Sequence, residues 1–277
     1  MNLRESDSEK KFVLKVSDKA VALDDSGKAV MDHIYDKNDP RSYFLSLRML
    51  QYLIPDAVQP VLRHLIAARR RNEKRRKLKL IDLGCSYGVT GRLLRSGQTM
   101  EETFRHYAAL ANRTRDELIK HDQAIFDAHA DKDLTIVGLD VAKNACAYAV
   151  DSGAIDVSVV ANLEESDPSV ADITAMRDAD ILVSTGCIGY VGAPTMIRIL
   201  DACGDSRPWM AHFVMRMFDF SPIREELTAR GYVTRRGSTP VYQRKFASPD
   251  EQDEIVNRLI TMGRDPTGLE DDGSAYA

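Results

Sequence analysis

The sequence is poor in the features that mark specialised protein classes. It has only four cysteines, Cys85, Cys146, Cys187 and Cys203, and no two of them form a C-x-x-C pair. That spacing speaks against a zinc site or a thioredoxin-like dithiol, and no metal is expected. With no apolar leader after Met1, reduced thiols and a cytoplasmic location are the expectation. No run of about 18 apolar residues occurs, so no membrane partner is expected. Neither sign of charge dominates: 38 Lys and Arg stand against 42 Asp and Glu, a formal net charge of −4. A dedicated nucleic-acid binder would usually be strongly basic, so no nucleic-acid partner is expected. Glycine and proline, at 16 and 10 residues, are too few for a collagenous or low-complexity chain.

What is present is the composition of a globular protein, 44% hydrophobic and 29% charged over 277 residues. That length suits one large domain or two small ones. Phe12-Val-Leu-Lys-Val-Ser reads as an edge strand. From Ser26 the pattern turns helical. Asp39-Pro40 reads as an N-cap with proline at the first helical position, opening a helix that carries Tyr43, Phe44, Leu47, Met49 and Leu50. A second helix follows Ile54-Pro55, through Val58, Leu62 and Ile66. Eight cations then crowd residues 69–79. They fit a patch for phosphate or an acidic partner, or a solvated helix end whose charge complements the helix dipole. The run is short and local, which favours the second reading.

After residue 77 the texture becomes alternating. Leu78–Leu83, Leu134–Leu139, Val157–Ala161, Asp180–Thr185 and Trp209–Met215 read as strands, with helices near 89–94, 142–150, 195–202 and 222–230. Tyr232-Val-Thr and Val241–Phe246 frame Gly237-Ser-Thr-Pro240 as a terminal hairpin. A helix over 250–262 precedes a polar tail. Strand–helix alternation of this kind implies a mainly parallel sheet covered on both faces.

Ligands of open parallel sheets bind beyond the carboxyl ends of the strands. The first strand–loop–helix, Leu80-Ile-Asp-Leu-Gly-Cys-Ser-Tyr-Gly-Val-Thr-Gly, is therefore the informative segment. Gly84, Gly88 and Gly91 allow a tight turn and close approach of a ligand. Their spacing is G-x-x-x-G-x-x-G rather than the dinucleotide G-x-G-x-x-G, which disfavours a nicotinamide oxidoreductase. Asp82 is awkward beside a pyrophosphate and suits a cationic ligand.

This loop resembles motif I of the class I S-adenosylmethionine-dependent methyltransferases, acid-x-Gly-x-Gly-x-Gly. Asp82, Gly84 and Gly88 match, and Ser86 replaces the middle glycine. The resemblance covers about residues 78–246 and implies S-adenosyl-L-methionine as cofactor. It also implies a Rossmann-like α/β fold: a mainly parallel seven-stranded sheet with an antiparallel last strand, plus a helical lid. Asp140, ending the second strand, matches the acid that binds the ribose hydroxyls, with Val141 beside it. Asn162 and Leu163 match the adenine contacts after the third strand. Thr185 and Gly186, after the fourth, fall where the family lines its reaction centre. Cys85 belongs to the loop backbone.

One departure is plain. Gly88 and Asp140 lie 52 residues apart, about twice the usual distance, so an insertion near 96–132 must be helical. The expected domains are an N-terminal helical lid or cap, 1–77, and a cofactor-binding domain, 78–277, carrying that insertion. In Tyr35-Asp-Lys-Asn-Asp-Pro-Arg41-Ser-Tyr43-Phe44, two readings are open. As a lid, Arg41 would pair with the cofactor carboxylate and Tyr35 or Tyr43 would face the sulfonium. Otherwise the rings are core and Arg41 is solvated. Tyr43 and Tyr190 are the candidate catalytic residues, Tyr190 being equally compatible with packing under the lid. His212 reads as a core histidine, Arg216 as a candidate anion contact. His106, His121 and Asp122 are weak candidates for a general base.

A sulfonium is already activated, so alignment and exclusion of water suffice and no triad or metal is needed. The leading reading is a methyltransferase acting on a small molecule, in secondary metabolism, with a homodimer as a compatible assembly. Two alternatives stay open. One is an enzyme that transfers or cyclises the aminocarboxypropyl part of the cofactor and releases methylthioadenosine. The other is a cofactor-binding module without catalysis.

Overall fold

The computed structural model describes residues 22–31 and 33–277; the edge strand expected at 12–17 lies outside them. In chain order the elements are α1 (Arg41–Met49), α2 (Ile54–Glu73), β1 (Leu78–Leu83), α3 (Val89–Ser96), α4 (Met100–Ala109), α5 (Arg115–His129), β2 (Leu134–Asp140), α6 (Lys143–Asp151), β3 (Val157–Val160), α7 (Val170–Met176), β4 (Ile181–Thr185), α8 (Ala193–Ala202), β5 (Trp209–Phe213), α9 (Ser221–Ala229), β6 (Tyr242–Lys245), α10 (Pro249–Thr261) and β7 (Ser274–Tyr276).

Five strands form one parallel sheet in the order β3-β2-β1-β4-β5. Because side chains alternate across a strand, β1 sends Leu80 to one face and Ile81 to the other. The first face packs Leu80, Ile136, Ile181 and Val183 against Val58, Leu62 and Ile66 of α2, Leu94 of α3 and Ala149 of α6. The second packs Ile81, Val137, Leu139 and Leu182 against Met176 of α7, Ile199 of α8 and Leu227 of α9. The order reverses direction between β1 and β4, which opens the crevice where open α/β sheets hold ligands.

Three expectations are corrected. The parallel sheet has five strands, not seven: β6 pairs antiparallel with β7 in a separate two-stranded sheet. The 232–246 hairpin does not form either. Val233 is 84% exposed, and Tyr232 packs against the residues on the second face of the sheet. β6 instead takes β7 on one edge, whose Ala275 packs with Met215, Met217 and Leu259. Its other edge is occupied by the α1–α2 link, where Leu53 N–H donates to Gln243 O (2.9 Å) and Lys245 N–H to Leu50 O (2.7 Å). Finally, residues 26–31 and 33–40 are not helical: a turn is closed by the Leu23–Ala29 bridge, and bends lead to α1.

The inserted segment is helical, as α4 and α5, each opened by a threonine capping box. Met100, Phe104, Tyr107 and Leu118 pack with Ile34, Tyr43, Phe44 and Leu47 of the N-terminal segment and with Tyr87 and Tyr148. The insertion thus carries Ile34 and α1 onto α3 and α6. In contrast, α2 is a covering helix of the sheet, so the packing does not divide at residue 77.

Candidate cofactor site at the strand ends

The β1–α3 loop owes its shape to backbone that few residues adopt. Gly84 and Gly88 lie at φ +75° and +70°, where a side chain is strained. A Cβ on Gly84 would also sit 2.7 Å from Cys187 Cβ, and one on Gly88 2.9 Å from Ala154 Cβ. Gly88 therefore seats α3 on the α6–β3 turn. Ser86, at φ +48°, holds a left-handed conformation without being glycine. Its backbone N–H donates to Asp140 Oδ2 at 2.8 Å, while Ala142 N–H donates to Oδ1 at 3.0 Å. The ends of β1 and β2 are joined through that one carboxylate.

Asp82 is the most unusual group of the site. It is buried, and Thr90 Oγ1 donates to its Oδ1 at 3.2 Å. Its Oδ2 has no hydrogen-bond partner among the described residues. Burial, with the Asp140 charge adding, raises its pKa to about 7; desolvation disfavours the charged form. Two more buried oxygens nearby, Ser86 Oγ and Thr185 Oγ1, are also without partners among the described residues. Such groups are costly unless something meets them.

Aromatic rings close over this end of the sheet. Tyr43 is buried, with ring centroids 5.3 Å from Tyr35, 5.2 Å from Phe44 and 5.4 Å from Tyr87. Burial pushes its hydroxyl pKa well up, with Tyr52, Tyr35 and Asp140 adding. Tyr52 is shifted up in the same way, by burial and then by Tyr35, Asp82 and Cys187. Asp82, Ser86, Asp140, Thr185, Tyr35 and Tyr43, expected from the sequence, are thus gathered at the ends of β1, β2 and β4.

Other expected residues are turned to structural tasks. Arg41 pairs with Asp39 (2.9 Å) and donates to the carbonyls of Ala111 (2.6 Å) and Arg113 (2.9 Å) after α4. Those bonds anchor the α4–α5 link and leave little donor capacity for a ligand carboxylate. Only the backbone of Cys85 belongs to the loop; its thiol is in the core, 4.0 Å from Cys146 Sγ. Leu163 is buried among the residues on the second face of the sheet rather than forming a pocket wall. Val141 is 64% exposed. Asn162 Oδ1 accepts from Glu164 N–H at 3.1 Å. Gly186 N–H donates to Phe213 O at 2.9 Å, and a Cβ on Gly186 would stand 3.1 Å from Gln243 Nε2.

Tyr190 is 53% exposed, and its hydroxyl donates to Asp24 Oδ2 at 2.9 Å. With Phe218 it lines a surface pocket of about 260 Å³ between the loops after β4 and β5. His212 is held neutral, its pKa lowered to about 4 by burial, with Nδ1 2.8 Å from Ser184 Oγ. Arg216 is bound to Glu270 and the Asp265 carbonyl. Asp122 is fully committed: Arg92 (2.7 Å) and His106 (2.8 Å) meet Oδ1, and Tyr107 (2.7 Å) and Tyr148 (2.9 Å) meet Oδ2. Its neighbours hold its pKa down at about 2 against the cost of burial. That network glues α3, α4, α5 and α6 together and is no general base.

Sequence reasoning missed Lys28, Tyr52, Cys187, Gln243 and Arg244. Cys187 and Tyr52 stand beside segments already singled out. Gln243 and Arg244 arrive only through the unexpected seat of β6, and Lys28 lies in a polar stretch without any motif.

No protein-family model and no curated protein matches the sequence. Among solved structures the chain is similar to a SAM dependent methyltransferase from Aquifex aeolicus. The identity is 14%, the match covers 82% of this chain and 84% of that one, and the TM-score is 0.31. A likeness of that degree carries no weight, so the functional reading rests on this chain's own strand order and strand-end residues.

Proposed function

We propose that this protein is an S-adenosylmethionine-dependent methyltransferase acting on a small molecule, in secondary metabolism. The observation that carries the reading is Asp82. It is a buried carboxylate with one oxygen that is unpartnered among the described residues, beside Asp140, at the switch point of a parallel β3-β2-β1-β4-β5 sheet. An anion so held favours a cation, and the cofactor brings an ammonium and a sulfonium.

The surrounding groups fit the same molecule. Each Asp140 oxygen accepts one backbone N–H and keeps a lone pair for a ribose hydroxyl. Ser86 Oγ and Thr185 Oγ1 are buried polar atoms that a polar ligand would satisfy. Among the described residues the Asn162 side chain spends its oxygen on Glu164 N–H, which leaves its amide for a base. When bound, the cofactor supplies the activated methyl group. The protein's part is then to orient the partners and exclude water, with Tyr35 and Tyr43 offering ring surface to a cation. A small acceptor rather than a nucleic acid agrees with the fate of the basic run. Arg69, Arg70, Arg75 and Arg76 are paired with Glu73, Asp131, Asp180 and Asp133. No helix among the described residues is long and apolar enough to cross a membrane.

Calorimetry with S-adenosylmethionine tests the reading, followed by mass spectrometry of the mixture. Binding of an intact cofactor that Asp82→Asn weakens at least tenfold is the expected result. Absence of binding overturns the cofactor assignment. Release of methylthioadenosine without an acceptor replaces methyl transfer by chemistry at the aminocarboxypropyl carbons.

A further inference from the structure

Lys28 sits in the turn that precedes the aromatic segment, and no ion pair in the described structure includes it. Its backbone is fixed: Lys28 N–H donates to Asp24 Oδ1 at 3.1 Å and Asp24 N–H to Lys28 O at 2.8 Å. The next residue is clamped to α10, where Ala29 N–H donates to Glu251 Oε1 at 2.8 Å. Lys28 Nζ therefore lies at a defined spot, 4.7 Å from the Tyr190 ring centroid and 6.0 Å from that of Phe218. Tyr190 and Phe218 are also walls of the surface pocket beyond β4 and β5.

The groups facing the amine come from four elements. Arg244 is on β6, Glu251 on α10, Asp24 on the same turn and Cys187 after β4. Both carboxylates are engaged elsewhere. Glu251 is bound by Arg244 and by the N–H groups of Ala29 and Ala247. Asp24 accepts from Ser26, Lys28 N–H and Tyr190. Among the described residues the ammonium is thus left with ring faces as its partners. Desolvation, with Arg244 adding, lowers its pKa to about 8.

We propose that Lys28 is the specificity-determining residue of the acceptor site, binding the carboxylate of a small aromatic acid whose ring lies against Tyr190 and Phe218. The inference deepens the methyltransferase reading and rests on it for the word acceptor. A single negative charge is favoured over a phosphate dianion because Asp24 and Glu251 stand close by. An aromatic body is favoured because two rings, Tyr190 and Phe218, stand beside the amine and stack well with a third.

Benzoate, phenyl phosphate and benzamide serve as probes, titrated into the full chain with and without S-adenosylhomocysteine. Calorimetry gives affinities, and NMR of lysines labelled at Cε follows the Lys28 amine. Benzoate is expected to bind at least tenfold more tightly than benzamide or phenyl phosphate and to raise the Lys28 titration midpoint. Lys28→Met should weaken benzoate at least tenfold, and Lys28→Arg should largely retain it. Equal affinity of the Lys28→Met variant, or an unmoved wild-type Lys28 resonance, overturns the proposal. A preference for phenyl phosphate overturns the carboxylate assignment. Should Lys28→Met fail to fold, the wild-type midpoint decides alone. If S-adenosylhomocysteine does not bind but benzoate still shifts Lys28, the cofactor reading fails and the anion site stands.

Discussion

The backbone N–H of Ser86 donates to Asp140 Oδ2 across 2.8 Å, so the loop after β1 is held by the residue that ends β2. A carboxylate in that position can hold the loop and still accept from a ligand, because each of its oxygens has a second lone pair.

Asp140→Ala is therefore expected to do two things. Leaving the N–H groups of Ser86 and Ala142 unmet should cost about 1–3 kcal/mol of stability, read from urea denaturation. Cofactor affinity should fall at least tenfold by calorimetry. Asp140→Asn, which keeps an acceptor oxygen, should recover most of the stability and less of the affinity. Unchanged affinity in both variants would remove Asp140 from the site.

Ser86 holds φ +48°, a left-handed conformation that costs a non-glycine residue about 1–2 kcal/mol. Ser86→Gly should thus raise the melting temperature or leave it unmoved, while Ser86→Val should lower it. The glycine variant also shows whether the buried hydroxyl matters to the ligand. A loss of cofactor affinity without loss of stability would assign Ser86 Oγ a direct contact.

Asp82 supplies a pH dependence whose sign is fixed. Its pKa is about 7 when folded against 3.8 ordinarily, so between those values the folded protein binds the extra proton. The stability gained is full below pH 4 and is lost as pH rises through 7. Asp82→Asn should accordingly melt higher than the parent protein at pH 8, with the difference closing toward pH 5. A cationic ligand favours the carboxylate, so binding near pH 6 should release a proton and binding at pH 8.5 should not. Calorimetry in buffers of different ionisation enthalpy measures this directly.

Arg92 and Asp122 are both about 1% exposed at the side chain. Removing one partner leaves a charge buried alone, which costs about 3–5 kcal/mol. Asp122→Ala should show a loss of that size in denaturant melts. Because Asp122 is held at about 2, its contribution is present above pH 4 and lost as pH falls toward 2. A variant destabilised by under 1 kcal/mol would mean that solvent reaches the network.

Much of the site was legible in the sequence because it is local. The strands announce themselves as short apolar runs, and the strand-end acids Asp82 and Asp140 stand beside glycines that only tight turns require. The helical insertion followed from its length and from the apolar spacing of residues such as Met100, Phe104, Tyr107 and Leu118. The cover was far less legible. Arg41 looked like a ligand contact because a guanidinium in an aromatic segment has no sequence-level sign of which carbonyls it will meet.

The amino-acid sequence by itself determined the alternation of strand and helix and the residues that end β1 and β2, since propensity and periodicity act over a few neighbouring residues. Tertiary structure alone decided that β6 would turn from the main sheet to β7, that α2 would cover the sheet rather than the pocket, and that Lys28 would reach Tyr190. Each of those outcomes is a competition among distant partners for the same edge, face or charge. It is settled by which pairing buries more apolar surface and leaves fewer polar groups unmet, and no local window of sequence contains both competitors.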